Sequence, residues 1–396
     1  MAARFRAAGF RCRQGGNPMS AIGTGSTTAT DPKAAARELV ERARAGLVGE
    51  PTLAILFATT QYDTESLVSG VSELLGGVPL WGGSSSTGVF QDAGWITAEG
   101  GSASLMLIAD RRAGVGVAAV DGDGFAAGKK AAEEALKQLG GTPSALLTIA
   151  YMGPEEEILR GVAEVAPGVP VVGGTASDHS PDNKFQQFAN GHAFKDHFAI
   201  AAVQGPIGYA FTNGYRLTGK KATATRASGR TVYELDGRRA MDVYSGWVAE
   251  PESEIGGGAL VVFSVQHPLL FRKYGISYSA HPVNSNPDGS MDFGAAMSTG
   301  TLLELGEATV NGLIAEAGNA VHQAAQGVRQ PKAILLAHCG GRAIALGDRI
   351  KEVPGELEHT VGHLPWIGYL AFGEQGCSVE GKATHADLSL SVLVLG

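Results

Sequence analysis

The chain has 396 residues, of which 44% are hydrophobic and 18% are charged, a composition typical of globular rather than disordered proteins. Its 31 basic and 39 acidic residues give a net charge of −8, which excludes a general electrostatic attraction to nucleic acid or anionic lipid. The longest apolar stretches fall far short of the ~20 residues that a membrane-spanning helix needs. We therefore expect neither nucleic acid nor a membrane among the partners.

The first 47 residues are predicted to be an N-terminal extension followed by a helix. Residues 1–18 carry four arginines and no acid, which suits an organellar presequence or an over-extended start upstream of a true Met19; the lack of an apolar segment favours the second. Asp31-Pro32 then begins an amphipathic helix that runs to about Ala45. The cysteines Cys12, Cys339 and Cys377 are scattered and form no Cys-x-x-Cys pair, which favours a reducing, cytoplasmic location.

An internal repeat is the most informative feature of the chain. Residues 53–87 align without a gap on residues 144–178, and twelve positions are identical, among them Gly82 with Gly173 and Gly83 with Gly174. Each copy begins with an apolar run typical of a buried strand, continues with a helical pattern and ends in a second short strand. The pattern predicts an α/β domain over 48–236, made of copies 53–143 and 144–234 that form the halves of a pseudo-twofold mixed sheet.

The same glycine- and hydroxyl-rich loop is predicted after the second strand of each copy. The candidate ligand-binding residues there are Gly82, Gly83, Ser84, Ser85 and Ser86 in one copy and Gly173, Gly174, Thr175, Ser177 and Asp178 in the other. Ligand sites of α/β sheets lie beyond the carboxyl ends of strands, and paired glycines admit a ligand close to the backbone. A plain hairpin turn is the alternative for either loop alone.

The second half of the chain is predicted to be another α/β domain over 237–378, followed by a C-terminal strand over 379–396. The basic stretch 215–230 alternates as a solvated surface strand does, and the turn Leu235-Asp236-Gly237 marks the boundary. We expect strands at 260–265, 333–337 and 366–372 and a helix near 313–327.

At these residues the chain resembles the FIST proteins, which pair an N-terminal and a C-terminal FIST domain. The similarity is carried by Leu80–Gly88, by residues 233–237, and above all by the segments Cys339-Gly340-Gly341-Arg342 and Phe372-Gly373-Glu374. The resemblance implies a sensory module for amino acids or similar metabolites, found alone, beside bacterial signalling domains or in eukaryotic F-box proteins. Members often carry Gly-Cys-Ser where Gly83-Ser84-Ser85 stands, which argues against a thiol at that loop.

Two opposite charges at strand ends suggest how an amino acid would be held. Arg342 presents a planar fork suited to a carboxylate, and Glu374, after Gly373, suits an ammonium group. A direct ion pair between Arg342 and Glu374 is the alternative. Cys339 is a further candidate pocket residue, although His338 beside it should point to the opposite face of the strand and leave the thiol without a base.

Other chemistry finds less support in the sequence. Asp178, His179, His192 and His197 match no spacing of a metal site, the glycines at 23–25 lack the lysine of a phosphate loop, and Gly-x-Ser-x-Gly is absent around Ser84–Ser86. We therefore predict a sensor that needs no cofactor or metal and signals through a separate protein. The alternatives are a hydrolase or transferase that uses Cys339, Ser84 or Ser85, and a protein-interaction scaffold.

Overall fold

The structure is a computed structural model that describes residues 20–179, 183–378 and 380–396. The predicted alternatives for residues 1–18, and Cys12, lie outside this part of the chain. Within it the mixed α/β architecture is confirmed: four sheets form, of which three share one topology and the fourth belongs to a separate insertion. No helix among the described residues combines the length and the hydropathy that crossing a membrane requires.

The first unit contains the first copy of the repeat. Its elements are β1 (Ile22–Thr27), α1 (Pro32–Ala45), β2 (Leu53–Thr59), α2 (Thr64–Leu75), β3 (Leu80–Ser85), β4 (Val89–Gln91), β5 (Gly94–Ile96) and β6 (Ala103–Ile108). The helix start predicted at Asp31 is confirmed, because Asp31 accepts a hydrogen bond from the backbone N–H of Ala34, and Asp63 caps α2 in the same way through the N–H of Ser66. The strand β2 is buried throughout, since helices cover one face of its sheet and the centre of the molecule covers the other.

The second unit contains the second copy. Its elements are β7 (Ala113–Ala119), α3 (Gly124–Leu139), β8 (Ala145–Ala150), α4 (Glu155–Val165), β9 (Val171–Thr175), β10 (Gln187–Ala189), β11 (His192–Phe194) and β12 (His197–Val203). The first turn of α4 holds three glutamates, which suit the positive end of a helix dipole. The two copies do not share one sheet, so the predicted pseudo-twofold sheet is wrong.

A third unit of the same topology is split by the insertion. It comprises β13 (Ile207–Thr212) and, beyond the insertion, α8 (Val310–Ala325), β22 (Ala333–Cys339), α9 (Gly340–Leu346), α10 (Val353–Val361), β23 (Trp366–Ala371), β24 (Glu374–Cys377), β25 (Ala383–Ala386) and β26 (Leu390–Leu395). Because β13 pairs with β26, this sheet joins segments on either side of the predicted domain limits at 236 and 378.

The insertion, residues 213–308, carries the fourth sheet. Its elements are β14 (Arg216–Ser228), β15 (Thr231–Leu235), β16 (Arg238–Arg239), α5 (Ala240–Val248), α6 (Glu252–Ile255), α7 (Leu260–Phe263), β17 (Leu269–Lys273), β18 (Ile276–Ala280), β19 (Pro282–Ser285), β20 (Met291–Phe293) and β21 (Leu302–Glu307). The strand predicted at 260–265 is wrong, since α7 is helical there. A short apolar run does not distinguish a strand from a buried helical turn.

The three units form a closed ring by exchanging hairpins. The hairpin β10–β11 of the second unit extends the sheet of the first, β24–β25 of the third extends that of the second, and β4–β5 of the first extends that of the third. One face of each sheet points to a common apolar centre, where Phe57 of the first unit stacks on Tyr369 of the third at 4.3 Å. Each sheet is therefore complete only when a second unit has folded beside its own.

Candidate functional site

A cavity of about 780 Å³ lies where the strand ends of the ring meet the insertion. We call it the cleft. The ring contributes residues that follow β3, β9, β22 and β23, and the insertion contributes the opposite wall. Apolar side chains dominate this lining: Trp95, Met152, Val261, Val283, Phe293, Ile344, Leu370 and Phe372. A concave, largely apolar site with few polar groups is typical of small-molecule binding.

Four of the predicted site residues line the cleft: Ser86, Asp178, Cys339 and Gly373. Each comes just after, or at the end of, a strand whose carboxyl end meets the cavity. The other ten lie behind the cleft surface: Gly82, Gly83, Ser84, Ser85, Gly173, Gly174, Thr175, Ser177, Arg342 and Glu374. These ten residues contact neighbouring strands and units of the fold instead.

The paired glycines are part of strands, not of loops as predicted. A Cβ on Gly82 would stand 1.8 Å from the carbonyl oxygen of Leu56, and one on Gly173 would stand 2.0 Å from that of Thr148. These positions therefore admit the backbone of the neighbouring parallel strand, and not a ligand. The second glycines serve the ring, because a Cβ on Gly83 would meet Ile149 of the second unit and one on Gly174 would meet the third unit.

The hydroxyl groups of the two predicted loops hold the units together. Ser84 Oγ accepts from the N–H of Gln186, 2.8 Å away in the second unit, and Ser85 Oγ accepts from the N–H of Leu370, 2.9 Å away in the third. Ser177 Oγ donates to the Leu370 carbonyl, and Thr175 Oγ1 donates to Glu155. Because Ser84 and Ser85 are buried and bonded across unit boundaries, neither is placed as a nucleophile facing the cleft.

Arg342 supports the fold and does not reach the cleft. It belongs to α9, is fully buried, and donates from Nη1 to the carbonyl of Asn213 and from Nη2 to that of Leu313 at 2.8 Å. These bonds fasten the end of β13 to the start of α8. The prediction that Arg342 binds a ligand carboxylate is therefore wrong, because the guanidinium is fully buried and both of its Nη atoms already donate to backbone carbonyl groups.

Glu374 is likewise buried in the ring. Its Oε2 accepts from the N–H of Ser389 at 2.9 Å, and within the described chain it forms no salt bridge with Arg342. Burial raises the pKa of the Glu374 carboxyl well above its usual value, more than Ser389 and Arg342 lower it. The expected role as the receptor of an ammonium group does not fit a carboxyl that lies behind the cleft surface.

Cys339 lies on the cleft surface at the junction of β22 and α9. Burial, with Glu374 and Asp387 nearby, raises the pKa of its thiol far above the usual value, so the thiol is protonated at neutral pH. His338 packs against Phe90 on the outer face, and burial lowers the pKa of His338 to about 3. Thus His338 does not activate the thiol.

A charged clamp that the sequence does not predict spans the cleft. Arg230, which was predicted to lie on a solvated surface, instead donates from Nη2 to Glu155 Oε2 at 2.6 Å and to Glu156 Oε2 at 3.0 Å. The N–H of Ala296 adds a bond of 2.8 Å to Glu156. Burial would raise the pKa of Glu156, but His385 and Arg230 outweigh it and the pKa lies below its usual value. We call Arg230 with these two glutamates the clamp; it ties the insertion to α4.

Asp387 and His281 were also missed, since each stands alone in the sequence. Asp387 of the ring accepts the N–H of His281 of the insertion at 3.0 Å on Oδ2, and both line the cleft. Burial raises the pKa of Asp387 to about 6 and lowers that of His281 to about 4. No cluster of three or more metal-ligating side chains occurs in the described chain, including around the histidines considered in the sequence.

The fold and the cleft define an α/β module of three ring units and an insertion that surround one cavity. The model of the FIST N domain matches residues 52–238, and that of the FIST C domain matches residues 240–377. The chain therefore belongs to the FIST family, whose domains serve as sensors in signal transduction.

The chain is also similar to individual known proteins. A stretch of 84 residues, 21% of the chain, is 36% identical to an uncharacterized protein of Methanocaldococcus jannaschii and spans only 16% of that relative. Among solved structures, cyanuric acid hydrolase from A. caulinodans aligns over 95% of this chain and 99% of its own at 9% identity, with a TM-score of 0.37. PurL of T. maritima with FGAR aligns over 94% and 72% at 11% identity, with a TM-score of 0.24. Likeness at these scores carries no functional argument.

Proposed function

We propose that this FIST chain is a cytoplasmic sensor whose cleft binds a small metabolite, an amino acid or a related carboxylate. The observation that supports this most is that one cleft takes its walls from all three ring units and from the insertion. Its volume of about 780 Å³ lies within the roughly 300–1,000 Å³ of small-molecule sites. A ligand there touches the ring units and the insertion at the same time.

The lining suggests which part of the ligand goes where. Trp95, Phe293 and Phe372 offer apolar and aromatic surface for the body of the ligand. Arg230 is the one arginine or lysine on the cleft surface in the described chain, and only its Nη2 is engaged by the clamp. Its remaining N–H groups are the ones we assign to a ligand carboxylate, in place of those of Arg342.

The proposed sensing step depends on how the insertion is attached to the ring. The chain enters the insertion after β13 and leaves it before α8, and across the cleft the clamp holds it. A ligand that binds better to one position of the insertion than to another shifts the population toward that position. A separate signalling protein that contacts the insertion would then detect the change.

The test is a thermal-shift screen with amino acids and small carboxylates, because a ligand that binds only the folded state raises the melting temperature. Ala343→Trp, which places a large side chain on the cleft wall, should abolish the shift of any hit. Ala126→Trp on the exposed start of α3 is the matched control and should leave it unchanged. Hits that persist in Ala343→Trp would contradict the proposal, and turnover lost in Cys339→Ser would favour the enzyme alternative.

A further inference from the structure

One end of the cleft presents hydrogen-bond acceptors that the protein leaves unused. Asp387 Oδ2 is engaged by the N–H of His281, but Oδ1 has no hydrogen-bond partner in the described chain and is not sealed off by neighbouring atoms. His385 Nε2 lies 3.9 Å from Oδ1, beyond hydrogen-bond distance. Asp387 itself is only 6% exposed, so this carboxylate oxygen faces the cleft and little else.

His281 supplies a second free acceptor on the opposite wall. Its Nε2 lies 2.9 Å from the carbonyl oxygen of Val261, which only accepts, so the ring proton sits on Nε2. The imidazole is 7% exposed. Its Nδ1 has no hydrogen-bond partner among the described residues and is accessible to solvent. Nδ1 is therefore a lone-pair acceptor toward the cleft, contributed by the insertion rather than by the ring.

The charged side chains that line the cleft are negative in sum. Asp178, Glu155 and Asp387 line it against the single guanidinium of Arg230, and Glu156 stands behind it. A field of this sign attracts an ammonium group and repels a free carboxylate that brings no positive charge of its own.

We propose that Asp387 and His281 form an amine subsite, in which a ligand ammonium or similar N–H-bearing cation donates to Asp387 Oδ1 and His281 Nδ1. This rests on the proposed function, since it assigns a ligand class to the same cleft, and it narrows that class: an amine is required, whereas a carboxylate is dispensable. Because one acceptor belongs to the ring and the other to the insertion, the amine would bridge the two bodies. Asp387 Oδ1 and His281 Nδ1, which have no donor in the protein, would each accept a hydrogen bond from the ligand.

The experiment compares ligands of one shape and opposite charge. Phenethylamine and 3-phenylpropanoate carry the same aromatic body, suited to the cleft, with an amine or a carboxylate at its end. We expect calorimetry on the full chain to give at least tenfold tighter binding of phenethylamine. Asp387→Asn should weaken phenethylamine at least tenfold. Asp242→Asn, an exposed aspartate of the insertion paired with Arg239, is the control and should leave the affinity unchanged.

The outcomes separate this inference from the proposed function. Equal or tighter binding of 3-phenylpropanoate to the wild-type protein would overturn the amine subsite while leaving the cleft as a binding site, and this comparison needs no variant to fold. Undiminished phenethylamine binding by Asp387→Asn would do the same. If the amino-acid and carboxylate screen finds ligands but phenethylamine does not bind, the subsite alone is wrong; if neither the screen nor the two probes bind, both proposals fail.

Discussion

Arg230 of the insertion and Glu155 of the ring lie 2.6 Å apart across the cleft, with the carboxylate only 1% exposed. This pair joins two bodies that the sequence separates by 75 positions. Glu155 also accepts hydrogen bonds from Thr175 and from the N–H of Gly153, so residues of its own unit orient the carboxylate toward Arg230. The Arg230 guanidinium therefore holds the insertion against the ring together with the bonds from Ala296 to Glu156 and from His281 to Asp387.

Removing that guanidinium should destabilise the chain. Arg230→Gln leaves the buried Glu155 carboxylate without its cation, and we expect the free energy of unfolding to fall by about 2–3 kcal/mol in urea titrations. Arg226→Gln on β14 is the control, because its partner Glu234 is 35% exposed whereas Glu155 is buried, and should cost less than about 1 kcal/mol. Equal effects of the two substitutions would show that the clamp does not hold the insertion.

The ring glycines should be sensitive in a definite order. Gly82→Ala brings a Cβ against the Leu56 carbonyl, whereas Gly368, its counterpart in the third unit, leaves 2.7 Å to the carbonyl of Leu336. We expect Gly82→Ala to cost about 3 kcal/mol and Gly368→Ala about 1 kcal/mol in urea unfolding. Gly355→Ala in α10, where the space is open, is the control and should be neutral or slightly stabilising. The reverse order would contradict the proposed equivalence of the units.

Arg342 should matter for stability and not for ligand affinity. Arg342→Met removes the donors to two buried carbonyl groups, so we predict a loss of about 2–4 kcal/mol in urea unfolding. Arg342→Lys should recover part of that loss. Either variant, measured while folded, should bind a cleft ligand as the wild-type protein does. A large affinity loss at unchanged stability would restore the carboxylate role predicted from the sequence.

Asp387 should make stability depend on pH. Its folded pKa of about 6 lies above the usual value near 4, so the protonated carboxyl contributes stability that is complete below about pH 4 and is lost as the pH rises through 6. Asp387→Asn removes this loss of stability. The free energy of unfolding of the variant, relative to that of the wild-type protein, should therefore rise by roughly 3 kcal/mol from pH 4 to pH 7.

The measurement is chemical unfolding of both proteins at each pH. His281, His385, Arg230 and Glu155, which face Asp387, are present in both, so the comparison isolates the substituted carboxyl. Asp242→Asn provides the reference for an exposed aspartate. If the difference in the free energy of unfolding between Asp387→Asn and the wild-type protein did not change with pH, Asp387 would not be buried in its charged form.

The sequence was sufficient for the local units of the fold. Apolar runs in β2 and β8 and caps such as Asp63 reflect short-range rules, which a single chain reveals. The third unit escaped because the insertion splits it and because Gly368 is followed by Tyr369 instead of a second glycine. Hairpin exchange depends on distant pairing, which no local pattern encodes.

The site was predictable only where residues follow strands directly. Asp178 and Gly373 reach the cleft because the carboxyl ends of neighbouring strands meet there. Arg342 does not, because α9 starts at Gly340 and turns the third residue of the segment beneath the surface. Arg230 is brought to the cleft by the insertion, whose position relative to the ring is set by tertiary packing alone.

We propose that the cleft between the ring and the insertion is the sensory site. A crystal structure with the compound that gives the largest thermal shift is the decisive test. We predict electron density for the compound between Arg230 and Phe293. Density instead in the smaller cavity of about 370 Å³ on the insertion, beside Arg272 and Thr301, with the cleft empty, would contradict the account.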